Sequence, residues 1–303
     1  MRTTAKRPCL LAGFLLAAIL APVQAGGKAA ADDKEGAAPK GQRVFYASHS
    51  LMWYVPTPRA DAASAAGIKD HKLVGLQSLG ASKTAQHWNL PEGKNKAKQA
   101  LKKGEVDVLI MSPIQFPDTG IDNFVKLGLE ANPDMRFVVQ ISWGGWDIDN
   151  QDFPKGATMR VDWEKTPEEL KKLYRRNIKA AEAQADEINK KVGKKVLFLV
   201  PSAQALVALR IRIHNKELPG LTTQAALFKD PISHPTAPLE ALNTYLHFAV
   251  IYNMSPVGLP VPSMLKKAKR EAWDEKLNRT LQELAWETVT SYPYSGVTAK
   301  EKK

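Results

Sequence analysis

The feature that most constrains the fold is an alternation of short apolar runs with longer segments of helical pattern. Five such runs occur along the chain, over residues 43–47, 73–78, 106–111, 137–142 and 195–201. Strands buried on both faces read as nearly continuous apolar runs, and parallel neighbours need a crossover, usually a helix, between them. The alternation therefore predicts an α/β protein, a three-layer α/β/α sandwich around a five-stranded parallel sheet.

The flanks of this region predict one folded domain over residues 41–292. Residues 26–40 are rich in Ala, Gly, Lys and Asp without an apolar period, which is typical of a linker. Residues 293–303 end in a lysine-rich stretch and are interpreted as a basic C-terminal tail. No internal repeat is evident, and the remaining length is enough to bury a single core.

The first 25 residues have the three-part pattern of a secretory signal peptide. Basic residues at the start, Arg2, Lys6 and Arg7, precede an apolar run over residues 9–23, and small residues precede Gly26. The alternative interpretation is a membrane anchor, although the run of about 15 residues is shorter than the roughly 20 that a span needs. Because no second run of that length occurs, we expect a periplasmic or secreted protein with no integral membrane span after signal cleavage.

Residue usage excludes several kinds of chemistry. The single cysteine, Cys9, lies inside the predicted signal, which excludes disulfides, cysteine–metal sites and cysteine nucleophiles in the mature chain. His71, His214 and His247 have no acidic partner at metal-ligand spacing. Neither the phosphate-binding nor the dinucleotide-binding glycine motif is present. We therefore expect no metal and no cofactor.

The positive charge of the chain does not predict a nucleic-acid partner. The formal charge of +12 falls to +9 once the three basic residues of the predicted signal are removed. Residues 94–103 have the pattern of a solvated helix face, and no interleaving of basic and aromatic residues marks a nucleic-acid surface. We interpret the charge as favouring solubility or loose attraction to anionic envelope material.

Polar residues follow the predicted strands at the edge where parallel sheets bind ligands. Ser50 follows the first strand, in a turn toward a helix whose backbone N–H groups favour developing negative charge. Late in the chain, Asp230 lies four residues before His234, a spacing at which a carboxylate can orient an imidazole. The pattern predicts Ser50 as a nucleophile, His234 as its base and Asp230 as the orienting acid.

Three short motifs resemble those of the SGNH (GDSL-like) hydrolase and esterase superfamily, in the same order along the chain. Ser48-His49-Ser50-Leu51 resembles the Gly-Asp-Ser or Gly-Asn-Ser motif of the nucleophile. Gly80 resembles the glycine of the oxyanion hole, and Asp230 with His234-Pro235 resembles the closing Asp-x-x-His motif. The resemblance implies an SGNH/flavodoxin-like sandwich in a divergent, exported bacterial member. It also implies that the N–H groups of Ser50 and Gly80 hold the oxyanion.

Three positions depart from the motifs of that superfamily. The asparagine of the third motif is missing, and Ser112 and Gln115, which follow the third strand, are the candidate replacement donors to the oxyanion. Asp230 and His234 are one residue further apart than in the motif, so that one residue bulges or the pairing differs. Ser48 replaces glycine and is expected to crowd the approach to the nucleophile.

Five side chains near these motifs are candidates for substrate contact: His49, His87, Trp88, Trp143 and Trp146. Packing under a loop is the alternative for the two tryptophans after the fourth strand. We expect an exported serine esterase that hydrolyses O-acetyl or related esters of a small molecule or carbohydrate. A non-catalytic glycan-binding relative and an envelope-associated protein that uses its positive charge remain as alternatives.

Overall fold

The computed structural model describes residues 38–144, 163–218 and 220–298. Its centre is a parallel sheet of five strands in the order β2-β1-β3-β4-β5. The strands are β1 (Arg43–Ser48), β2 (Lys72–Ser78), β3 (Val108–Met111), β4 (Arg136–Gln140) and β5 (Leu197–Val200). Each strand begins and ends within two residues of a run predicted from the sequence. The predicted fold class is confirmed.

Helices cover both faces of the sheet. They are α1 (Pro56–Ala65), α2 (Thr84–Trp88), α3 (Lys96–Lys102), α4 (Thr119–Ala131), α5 (Pro167–Leu170), α6 (Arg175–Val192), α7 (Ser202–His214), α8 (Ala237–Tyr252), α9 (Ser263–Lys267) and α10 (Glu275–Thr290). Short 3₁₀ turns occur at Glu92–Lys94, Gln224–Leu227 and Pro293–Ser295. On one side α2 and α3 pack against α4, and on the other α1, α7 and α10 pack against α8.

Two residues of β4 show the layering directly. The ring of Phe137 lies against α4, where a Cβ built on Gly128 would be 2.7 Å from the Phe137 Cζ atom. Gln140 accepts hydrogen bonds from Asn243 and His247 of α8. Successive side chains of a strand point to opposite faces, so residues an odd number apart contact opposite layers. Because both faces are covered, the middle strands are buried, and polar groups reach solvent chiefly where strands end.

The carboxylate of Asp118 joins two helices near the functional edge of the sheet. It caps α4 by accepting the N–H of Gly120 at 2.9 Å. The same carboxylate accepts the N–H groups of Thr84 and Ala85 at the start of α2. One side chain thus fixes α2, and the turn that precedes it, relative to α4.

The sequence of residues 166–192, with Thr166 as N-cap, predicts one long helix, but the structure divides it into α5 and α6. Thr166 caps α5 as expected, and its hydroxyl and the Glu169 carboxylate form a reciprocal capping box. Tyr174 then adopts a left-handed conformation with φ of 62°. A left-handed residue cannot continue a right-handed helix, so α6 begins anew at Arg175.

Residues 293–298, which the sequence analysis placed in a basic tail, contact the domain. Ser295 and Val297 are buried, and the Ser295 hydroxyl donates to the Val289 carbonyl at 2.6 Å. A Cβ on Gly296 would be 2.4 Å from the ring of Phe198 in β5. The packed residues therefore continue past the expected boundary at 292.

The predicted signal over residues 1–25 and most of the predicted linker lie outside the described residues. Among the helices that the structure describes, none is both long enough and apolar enough to cross a membrane.

Candidate functional site

Ser50 lies in a tight turn directly after β1. The N–H of Met52 donates to the His49 carbonyl at 3.0 Å, and the N–H of Leu51 donates to His49 Nδ1 at 3.3 Å. These two bonds fix the turn on both sides of Ser50, which is half-buried. The Ser50 N–H has no protein acceptor among the described residues, so it is available to a ligand.

The His49 side chain is buried and holds this turn through the Leu51 N–H, so the prediction that His49 contacts substrate is wrong. Its side chain is only 1% exposed. Since Nδ1 accepts the N–H of Leu51, the neutral ring carries its proton on Nε2, which is 3.0 Å from the Ser112 hydroxyl oxygen. Burial lowers the pKa of His49 to about 4, and the charges of His87 and His234 contribute in the same direction. His49 is therefore neutral near pH 7.

The second motif forms a turn beside the first. The N–H of Leu79 donates to the Ser48 carbonyl at 3.1 Å, and the N–H of Ile114 donates to the Ser82 carbonyl at 3.2 Å, so the turn is held between the ends of β1 and β3. Gly80 is exposed, and its N–H has no protein acceptor in the part of the chain that the structure describes. Open space lies where a Cβ on Gly80 would stand.

His87 fixes that turn and does not line the crevice. Gln77 Nε2 lies 3.2 Å from His87 Nδ1, and His87 Nε2 lies 2.9 Å from the Ser82 hydroxyl, which in turn donates to the Leu79 carbonyl. The ring is fully buried, and burial lowers its pKa to about 4. The prediction that His87 contacts substrate is wrong, because both ring nitrogens are used within the protein.

Trp88 is occupied by packing. Its ring packs edge to face against Phe124, with 5.1 Å between the ring centroids. The Lys98 Nζ atom lies 3.8 Å from the centroid of the Trp88 ring, in a cation–π contact. The face of the indole that Lys98 covers is not free to stack on a ligand. Trp88 therefore serves the α2–α4 contact and not the substrate position predicted for it.

The structure separates the two candidate donors that were expected to replace the missing asparagine. The Ser112 hydroxyl is buried and lies between His49 Nε2 at 3.0 Å and the Ser142 hydroxyl at 2.9 Å. It has no room for a substrate oxygen, so its prediction as an oxyanion donor is wrong. Gln115 is half-buried, and its amide makes no hydrogen bond to any other described residue. Gln115 remains the available donor after β3.

The side chain of Ser48, which replaces glycine in the first motif, lies in the protein interior. It is fully buried, and its hydroxyl has no hydrogen-bond partner among the described residues. The expectation that Ser48 crowds the approach to Ser50 is therefore wrong.

Asp230 and His234 are paired in the loop between the 3₁₀ turn at Gln224–Leu227 and α8. Asp230 Oδ2 is 2.6 Å from His234 Nδ1, and Asp230 Oδ1 accepts the N–H groups of Ile232 and His234. Burial alone would raise the pKa of Asp230, but the hydrogen bonds from His234 and the backbone outweigh it, so the pKa is lowered. The carboxylate is ionised near neutral pH. It holds the proton of the neutral imidazole on Nδ1 and leaves Nε2 as the acceptor.

Trp143 anchors this loop to the sheet. Its indole N–H donates to the Ser233 carbonyl at 3.0 Å, and the Ser233 hydroxyl donates to the Gly144 carbonyl at 3.1 Å. Trp143 is 1% exposed, so the prediction of substrate contact is wrong and the alternative, packing under a loop, is what the structure shows. Trp146 lies outside the described residues.

Two exposed hydrophobic side chains lie within three residues of Ser50 or His234, and neither was predicted from the sequence. Trp53, three residues after Ser50, is 41% exposed, and Ile232, two residues before His234, is 39% exposed. The indole N–H of Trp53 donates to the Ser48 carbonyl, the same oxygen that accepts the N–H of Leu79. The only signal in the sequence was position, because an exposed side chain cannot be told from a buried one by its type.

The four loops thus converge on one edge of the sheet. Ser50, Gly80 and Gln115 follow β1, β2 and β3, and the loop with Asp230 and His234 is tied to the end of β4. A hydrogen-bonded chain runs from His49 through Ser112 to Ser142, and the neighbouring Trp143 donates to the Ser233 carbonyl, which connects this loop with the nucleophile turn. No group of three or more metal-ligating side chains occurs among the described residues.

Two solved structures resemble this chain at low sequence identity. No protein-family model matches the chain, and no curated protein matches it significantly. A candidate SGNH hydrolase from Slackia heliotrinireducens is 15% identical, with 69% of this chain and 97% of that chain covered and a TM-score of 0.41. WcbI, a polysaccharide biosynthesis enzyme, is 13% identical, with 81% and 99% covered and a TM-score of 0.34.

Proposed function

We propose that this protein is an exported serine esterase that hydrolyses esters by acyl transfer through Ser50, His234 and Asp230. The observation that carries the proposal is the 2.6 Å contact between Asp230 Oδ2 and His234 Nδ1. It leaves His234 Nε2 as a base at the sheet edge that also bears a half-buried serine. Two unpaired backbone N–H groups, those of Ser50 and Gly80, supply the oxyanion donors at that edge.

The proposed reaction has two steps, acylation of Ser50 and hydrolysis of the acyl-serine. In the first, Ser50 Oγ bonds to the acyl carbon while His234 Nε2 takes the hydroxyl proton, and the carbonyl electron pair moves to the oxygen. Collapse of this adduct breaks the bond to the leaving alcohol, which receives the proton from His234. In the second step a water molecule attacks the acyl-serine in the same way and releases the acid. Asp230 stabilises the imidazolium that forms in each step.

The substrate that we propose is an O-acetyl or other short-chain ester on a carbohydrate outside the cytoplasm. The signal-like pattern of residues 1–25 supports export. The exposed Trp53 beside the nucleophile turn supports a ligand with a flat apolar face. Both supports come from the chain itself, since fold alone does not fix function.

A non-catalytic glycan-binding protein is the second candidate. The observation that favours it is that the Ser112 hydroxyl is hydrogen-bonded within the protein, which leaves Gln115 as the one candidate side-chain donor to the oxyanion among the described residues. Loss of one oxyanion donor typically lowers the rate by about 10²–10³-fold. A slow esterase and an inactive binding protein differ in whether any turnover depends on Ser50.

Hydrolysis of p-nitrophenyl acetate by the mature protein and its variants tests the proposal. We expect turnover that falls by at least about 10³-fold in Ser50→Ala and His234→Ala, because each removes a member of a unit that acts together. Leu73→Ala, an exposed position at the start of β2, serves as the control and retains the full rate. Equal rates in all four proteins would refute the esterase and favour the binding protein.

A further inference from the structure

The exposed Trp53 differs from the other aromatic side chains of the site. Its indole N–H is committed to the Ser48 carbonyl at 3.1 Å, so the ring is held in one orientation and offers a ligand its apolar surface alone. Trp143 and Trp88, by contrast, are buried or covered by neighbours. A rigid, exposed ring gains contact area at little cost in side-chain entropy.

The position of Trp53 relates it to the proposed chemistry. The Ser48 carbonyl accepts hydrogen bonds from both Trp53 Nε1 and the Leu79 N–H. The indole N–H therefore shares its acceptor with the residue that precedes Gly80. The ring is thus tied to the carbonyl at which the oxyanion turn is bonded to the end of β1, and it lies three residues after the candidate nucleophile.

Ile232 places a second apolar surface on the loop that carries Asp230 and His234. Its side chain is 39% exposed, while its N–H is donated to Asp230 Oδ1 at 3.1 Å. The backbone bond orders the loop, and the side chain takes no part in it. Exposed large hydrophobics usually mark binding surfaces when they cluster at one site. Of the three such side chains in the described ranges, two adjoin the candidate triad, and the third, Leu73, lies at the opposite end of β2.

We infer that Trp53 and Ile232 form a subsite for a sugar ring in the alcohol part of the ester. This inference rests on the proposed function for its link to catalysis, but the binding it describes does not require turnover. A pyranose presents a flat face of C–H groups with hydroxyls at its rim, which matches a fixed aromatic face whose N–H is already used. The acyl chain of the ester is the competing occupant.

Titration of the Ser50→Ala protein with carbohydrates tests this inference. The probes are cellohexaose, xylohexaose and chitohexaose, with hexanoate as the acyl probe, and the readouts are calorimetry and the NMR shift of the Trp53 indole N–H. We expect saturable binding of at least one oligosaccharide, a shifted Trp53 signal and no effect of hexanoate. Failure of all three oligosaccharides, or a response to hexanoate alone, would overturn the subsite.

Two substitutions separate the aromatic face from the hydrogen bond. Trp53→Phe keeps a ring without the donor, and Trp53→Gln keeps a donor without the ring. We expect the Phe variant to retain binding and the Gln variant to lose roughly tenfold in Kd, which corresponds to about 1.4 kcal/mol. Ile232→Ser should also weaken binding, and Leu73→Ala should not. If Trp53→Gln retained carbohydrate binding and Trp53→Phe lost it, Trp53 would act only by holding the turn.

The outcomes distinguish the two proposals. Oligosaccharide binding by Ser50→Ala, with no serine-dependent turnover in the wild type, would support the subsite and refute the esterase. Serine-dependent turnover without carbohydrate binding would support the esterase and refute the subsite.

Discussion

Asp230 Oδ2 and His234 Nδ1 are 2.6 Å apart, although the two residues are one position further apart in the sequence than in the Asp-x-x-His motif. The extra residue is accommodated by Ser233, which adopts a left-handed conformation with φ of 66°. The Ser233 hydroxyl and carbonyl are both bonded to residues after β4, so this conformation is held by the sheet edge. The loop keeps the acid–imidazole pairing by bulging one residue.

Removal of the Asp230 charge should impair turnover more than folding. In Asp230→Asn, the amide no longer stabilises the imidazolium or fixes its tautomer, so we expect kcat to fall by about 10³–10⁴-fold. Steady-state kinetics on p-nitrophenyl acetate measure the change, and circular dichroism checks the fold. A drop of less than tenfold would show that Asp230 does not act through His234.

Gln115 and Ser112 should respond in opposite ways to substitution by alanine. Gln115→Ala removes a free amide, and we expect about 10–10³-fold lower kcat with an unchanged melting temperature. Ser112→Ala removes the hydroxyl that contacts His49 Nε2 and Ser142, although Ser142 keeps the Gln140 amide as a donor, and should lower the free energy of unfolding by about 1–3 kcal/mol. Thermal denaturation and kinetics on both variants form a matched pair. The assignment of Gln115 would fall if its variant had wild-type activity.

Acidification should destabilise the protein through its buried histidines. Burial lowers the pKa of His49, His71 and His87 to about 4 and that of His247 to about 3, against about 6.5 in an unfolded chain. Between those values the unfolded state binds protons that the folded state does not, so stability is full above pH 6.5 and falls toward pH 4.

Denaturant titrations at several pH values measure this slope, and His247→Gln provides the control. The glutamine amide can still donate to Gln140 Oε1 but does not titrate, so the slope should become shallower. A wild-type free energy of unfolding that stays constant from pH 7 to pH 4.5 would contradict the neutral, buried state of these rings.

Ser48→Ala should stabilise the protein. The Ser48 hydroxyl is buried without a partner among the described residues. The free-energy cost of removing such a group from water is not offset by a hydrogen bond in the folded state. We expect a gain of up to about 1 kcal/mol in the free energy of unfolding, measured by denaturant titration. Destabilisation would instead indicate that the hydroxyl has a partner in solution.

The sequence was sufficient to predict the sheet, because buried parallel strands leave continuous apolar runs such as Val108 to Met111. It was also sufficient to bring Ser50, Gly80 and the loop with His234 to one edge, since parallel strands end on the same side. The break at Tyr174 was not predictable, because a left-handed tyrosine has no signature in residue type.

Exposure was the part that the sequence could not supply. Trp143 and Trp53 have the same side chain and both follow a strand, yet one is buried under the His234 loop and the other is exposed. Trp143 is buried because the loop with Ser233, 90 residues later in the chain, folds back over it. For the same reason His49 and His87 were expected at the surface of the crevice and instead lie beneath it.

Labelling with a fluorophosphonate probe, followed by mass spectrometry of the modified peptide, tests the central claim most directly. Only a serine whose proton is taken by a base reacts rapidly with such a probe. We predict modification of the mature wild-type protein at Ser50, and its loss in both Ser50→Ala and His234→Ala. A folded wild-type protein that stays unmodified, or one modified equally well in His234→Ala, would contradict the assignment of Ser50 and His234 as nucleophile and base.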